Sequence, residues 1–166
     1  MAYFAQIDSN KIVTQVTGCP DAECGGGTIA GEAEGATYLE SITGISSSLW
    51  KIGFPIATNQ QTGNIIGKGG RGNYPGIGMT FMEGVRTLGV ASTDVFMPPP
   101  IANSWTVGVH TAQWYSPLGG NYESKNIGIT STDAAAGKAY IWCENEYQAD
   151  TADPKTVGWA LTTFSS

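Results

Sequence analysis

Ala2-Tyr3-Phe4-Ala5-Gln6-Ile7-Asp8-Ser9-Asn10-Lys11-Ile12-Val13-Thr14-Gln15-Val16-Thr17 sets two β-branched and aromatic runs, Ala2 to Ile7 and Ile12 to Thr17, on either side of a group of turn formers. Runs of that kind around Asp, Ser and Asn read as a β-hairpin. Side chains alternate across a strand, so Tyr3, Ala5 and Ile7 share one face, and Ile12, Thr14 and Val16 share another. A helix bundle is a poor fit, because the chain holds 23 glycines in 166 residues and each costs about 1 kcal/mol inside a helix. The predicted class is mainly β with one short helix, a small α+β fold of aromatic-rich antiparallel hairpins.

The helix is expected over residues 31 to 43. Between 31 and 45, Ala36, Leu39, Ile42 and Ile45 recur every three residues, with Tyr38 four before Ile42. Glu32 and Glu34 suit the positive end of the helix dipole, Gly35 weakens the segment, and Gly44 ends it. Toward the other end of the chain, Trp105 to Trp114 reads as two short strands around a glycine-containing turn, after the stiff Pro98-Pro99-Pro100. Ala139 to Tyr147 and Val157 to Phe164 read as a closing hairpin joined by a polar loop through Asp150 and Pro154. Tyr140 with Trp142, and Val157 with Trp159 and Leu161, then form cross-strand packing.

At 41% hydrophobic and 10% aromatic the chain can bury a core, and its length suits one domain over 1–166. Submodules are expected at 1–57, hairpin plus helix, and 58–166, the β-rich part. Only 13% of residues are charged and the net charge is −6, which argues against a nucleic-acid partner held through its phosphates. No apolar stretch reaches the 18 or so residues of a membrane span, and Met1 runs straight into a strand without a leader, so synthesis in a cytoplasm is expected. The charge is unevenly placed. Residues 51–90 carry Lys51, Lys68, Arg71 and Arg86 against Glu83, a net of +3, between acidic flanks of −5 over 1–50 and −4 over 91–166.

Each chemical constellation has a plainer reading. Gly67-Lys68-Gly69-Gly70-Arg71-Gly72 fits G-x-G-x-x-G, but neither a buried strand before it nor a helix after it supports a dinucleotide site, and it reads as a flexible loop. His110, the one histidine, falls in a turn, away from any nucleophile pair. Glu144 and Glu146 are expected on one face of a strand, roughly 6.5 Å apart, where a solvated face explains them better than a hydrolytic acid pair. Asp150 and Asp153 alone are too few for calcium. Cys19 and Cys24 read as two reduced thiols in a loop, with a disulfide or half of a zinc site as the other readings; only Cys143 and His110 remain to complete a metal set. No catalytic residue, cofactor or metal site is therefore assigned.

The opening Met1 to Asp8, with Asn10 and Ile12 to Val16, resembles the start of small virion proteins of marine tailed phages, chiefly those infecting cyanobacteria. Arg71 to Gly78, Phe96 through Ser104-Trp105 to Trp114, and Tyr140 to Glu144 through Gly158 to Thr162 look like the same family, with departures at Cys143 and Pro75. The resemblance implies a structural role in the virion: a capsid-surface knob or decoration protein bound to the major capsid protein or another virion protein, made in the host cytoplasm. A tail, neck or fibre component that touches the host surface is the alternative, and an envelope-degrading enzyme a remote one. Lys68, Arg71 and Tyr74, in the basic band, are the candidate capsid contact, against the reading that the band packs on acidic parts of its own chain. Trp105 and Trp114 are the second candidate contact.

Overall fold

A computed structural model of the chain describes residues 1–54, 57–58, 65–66, 71–86, 92–108 and 111–164. They divide into two compact units, Met1–Pro99 with Val107–Gln113, and Pro100–Thr106 with Trp114–Ser166. The fold is mainly β with antiparallel sheets and short helices, as predicted.

In the first unit β1 (Ala2–Ile7) and β2 (Val13–Cys19) make the expected hairpin, with a register shift at Gln6/Ile7. The turn is held by Asp8, whose carboxylate accepts the N–H groups of Asn10 at 2.8 Å and Ile12 at 2.9 Å. β1 is buried on both sides because it is the central strand of a three-stranded sheet, order β2-β1-β3, whose third member is β3 (Trp50–Gly53). Ala2 and Phe4 face one core with Leu39, Trp50 and Ile52, whereas Ala5 and Ile7 face another with Val13, Phe81 and Phe96. That division explains a run with almost no polar alternation.

Helix α1 (Glu32–Thr43) covers the first core, and Gly44 ends it in the left-handed conformation at φ 72°. Gly35, Ala36 and Leu39 are its buried residues, but Ile42 is 61% exposed. The expected apolar stripe is thus interrupted at Ile42, while Tyr38 and Ile45 pack against the core. Gly35 has a packing reason: a Cβ there would stand 2.4 Å from the Phe4 ring and 2.7 Å from the Cys24 Cβ. Gly35→Val is expected to lower stability by about 2–3 kcal/mol in urea unfolding, because a filled core cannot take the added methyls.

β4 (Ala57–Thr58) pairs with β5 (Ile65–Ile66), and β6 (Thr80–Met82) with β7 (Val95–Met97), bringing the Phe81 and Phe96 rings to 5.1 Å. The Trp105 to Trp114 stretch supplies β8 (Thr106–Val107) and β9 (Trp114–Tyr115).

The second unit adds helices that the sequence reading missed: α2 (Tyr122–Ile127) and α3 (Ser131–Ala135). Both are short and begin at side-chain caps, Asn121 accepting the Ser124 N–H at 2.9 Å and Thr130 the Asp133 N–H at 3.1 Å. β10 (Lys138–Trp142) pairs with β11 (Trp159–Thr163), with Tyr140 opposite Leu161 and Trp142 opposite Trp159. The hairpin is the predicted one, but its first strand stops at Trp142. Residues 144–149 form α4 (Glu144–Ala149) and not the end of a strand, so Glu144 and Glu146 lie in the first turn of a helix. Two acids in that turn complement the helix dipole, which a sequence read with period two cannot show.

Candidate functional site

Arg71 is 4% exposed and is the hub of the first unit. Its Nη1 donates to the Glu32 carboxylate and, at 2.7 Å, to the Ile52 carbonyl, while Nη2 donates to Asp94 at 3.1 Å. The guanidinium also lies 5.1 Å from the centre of the Phe81 ring. Glu32 in turn accepts the Ile52 N–H at 2.6 Å, so one acid and one arginine take both backbone groups of Ile52. Among the described residues Ile52 sits on an edge strand of its sheet, and this ion pair takes the backbone groups of that edge.

The residues after Arg71 continue the framework. Asn73, in the left-handed region at φ 58°, donates from its amide to the carbonyls of Phe96 at 2.8 Å and Ala112 at 2.9 Å. Tyr74 is half-buried and meets Tyr3 edge-on at 5.7 Å; burial and the neighbouring Tyr3 hydroxyl raise its pKa. Pro75 fills the space above Gly53, where a Cβ would come within 2.3 Å of its ring. Arg86 is fully buried and donates to the Ser92 carbonyl at 2.8 Å, with its pKa lowered by burial.

Arg71, expected at a contact with a virion partner, has its charge turned inward onto Glu32 and Asp94, acids of the same chain. Lys68, the other charged member of that trio, lies outside the described residues, as do Gly67 to Gly70 and His110. Lys51, half-buried with its ammonium 5.7 Å from the Phe81 ring, borders two open grooves of about 320 and 250 Å³. Both grooves also run past Ser48.

The second unit is organised around rings. Trp105, only 4% exposed, stacks on Tyr122 at 5.6 Å and meets Trp159 at 5.7 Å and Trp142 at 6.0 Å. Trp142 and Trp159 contact each other at 5.4 Å. Trp105, the second candidate contact, thus stands at the centre of a core, and Trp114, named with it, is half-buried. Helix α2 closes the β10 edge with side chains, as the Tyr122 hydroxyl accepts the Trp142 N–H at 3.1 Å and Asn126 accepts the Tyr140 N–H at 2.9 Å. Glu144 ties the approach to Trp105 in place by accepting from Ser104 at 2.6 Å and from the Trp142 ring N–H at 2.7 Å. The Ser104 hydroxyl, foremost, holds that carboxyl below the usual range. A hydrolytic acid needs the opposite shift, and Glu146 is exposed. The Asp150 carboxylate accepts the N–H groups of Ala152, Thr156 and Val157 at 2.8–3.0 Å, which lower its pKa and make it the organiser of its loop.

Among the described residues no group of three His, Cys, Asp or Glu side chains is gathered as for a metal ion, and no helix is long and apolar enough to cross a membrane. No family model matches the chain, and neither a curated protein nor a solved structure matches it.

Proposed function

We propose that the chain is a virion structural protein, a knob or decoration protein that binds an assembled capsid lattice. The observation that carries this reading is where the four signatures that resemble phage virion proteins fall. The first builds the β1–β2 hairpin, the second is the Arg71 to Pro75 framework, the third gives Phe96 to the core of the first unit and Trp105 to the ring cluster, and the fourth adds Trp142 and Trp159 to that cluster. Every signature serves to hold a small scaffold rigid, as suits a protein whose task is to present a surface. With Arg71 and Arg86 buried, the exposed charges of the first unit are, among the described residues, mostly acids such as Asp21, Glu23, Glu34 and Glu40.

The test is copy number. Quantitative mass spectrometry of purified particles of the phage that encodes the chain is expected to find it at tens to hundreds of copies, in proportion to the major capsid protein. A handful per particle would move it to the tail or neck, and its absence from particles would end the virion reading. Lys68→Glu is the contact variant to compare, because Arg71→Glu would unfold the unit it sits in.

A further inference from the structure

Cys19 ends β2, and Cys24 follows the one-turn 3-10 segment Asp21–Glu23, so five residues bend back and return the chain to its own starting point. Both residues are fully buried and both thiols are free. The Cys24 thiol donates to the Pro20 carbonyl at 3.1 Å, and the Cys19 thiol approaches the same oxygen at 3.7 Å. The two sulfurs therefore share one acceptor and lie on the same side of the bend. Gly25, Gly26 and Gly27, all at positive φ, give the strand-to-helix connection backbone freedom next to Cys24. We infer that Cys19 and Cys24 are a modification site: a dithiol folded ready to close into an intramolecular disulfide when the chain meets an oxidising solution.

The reaction is thiol–disulfide exchange with a small-molecule disulfide. One cysteine sulfur attacks the reagent, forms a mixed disulfide and expels a thiolate. The second cysteine sulfur then attacks the first, expelling the other half of the reagent. Two thiols lose two electrons and two protons, which leave on the two reduced halves. Burial, with the neighbouring Cys24 next, raises the Cys19 thiol to about 11, so Cys19 resists ionisation, and the buried pair reacts slowly, through openings of the glycine loop. Slow closure keeps the dithiol intact through synthesis in a reducing compartment. The pairing chemistry rests on this loop alone; only its timing, after a particle leaves its host, rests on the virion reading.

Closure would fasten the end of β2 to the residue on which α1 packs, since Cys24 lies beneath Gly35 and beside Phe4. The full chain, incubated with oxidised glutathione, alkylated in denaturant and cut with trypsin, tests this. Residues 12–51 leave trypsin as one fragment, expected about 2 Da lighter than the dithiol and without alkyl groups. A second cut after Glu23 separates the two cysteines, and the halves should stay joined until reduced. The half-exposed Cys143 reports that the reagent was active by taking up one glutathione. The melting temperature should rise by about 5 °C, from the smaller entropy of the unfolded ring. A fragment 12–51 carrying two alkyl groups, or two glutathiones, overturns the inference, and this result is read on the unaltered chain. Cys19→Ala should abolish the thermal shift.

Discussion

Arg71→Ala is expected to lower the stability of the first unit by about 3 kcal/mol, the low end for removing one member of a buried ion pair, because its two acids keep about a fifth of their exposure. The loss has three parts. Glu32 and Asp94 lose their cation, the Ile52 carbonyl loses its donor, and the edge of β3 opens. Arg71→Lys should recover little, since a single ammonium cannot reach both carboxylates and the carbonyl as the planar guanidinium does. Urea unfolding gives the energy, and hydrogen exchange gives the place: β1 and β3 amides should lose protection. An open strand edge also recruits other chains, so the variant should self-associate more than the wild type in size-exclusion chromatography. A variant as stable as the wild type would show that the ion pair is ornamental.

Trp105→Ala is expected to cost the second unit about 3–5 kcal/mol, the range for removing a buried indole. The ring touches Tyr122, Trp142 and Trp159, and no smaller side chain at 105 keeps all three. Near-ultraviolet circular dichroism, which reads ring pairs held in fixed geometry, should collapse, and β10–β11 amides should exchange faster. Trp105→Phe, which keeps a ring in place, should lose less on both measures. An unchanged near-ultraviolet spectrum in the alanine variant would remove Trp105 from the centre of the cluster.

These two residues also mark the limit of what the sequence disclosed. The N-terminal hairpin, the helix ended by Gly44 and the closing hairpin were legible because turn formers and periodicity act over a few neighbours. Trp105 was read both as packing and as a candidate contact; only a tertiary partner such as Tyr122 decides between them. Arg71 was placed at a surface because it belongs to the basic, glycine-rich band, and nothing near it in sequence announces Glu32, 39 residues before it. The reading that the basic band packs on acidic parts of its own chain describes Arg71 correctly. Residues 144–147 were read as strand because Ala139 to Trp142 alternates cleanly and the pattern was carried too far. The signal that could have stopped it is the pair of acids, Glu144 and Glu146, which favour the first turn of a helix. The short helices α2 and α3 left only their caps, Asn121 with Ser124 and Thr130 with Asp133, as traces.

The first unit is completed by residues 107–113, which follow the opening stretch of the second, and Ala112 in that returning piece accepts the Asn73 amide. Ancestry is constrained by such a path. A gene cut after Pro99 would encode the first unit without its last piece, and recombination there would leave Asn73 short of a partner. The two units can diverge at their surfaces, yet they are inherited together, and a lineage that exchanged one of them would have to exchange the interleaved segments as well.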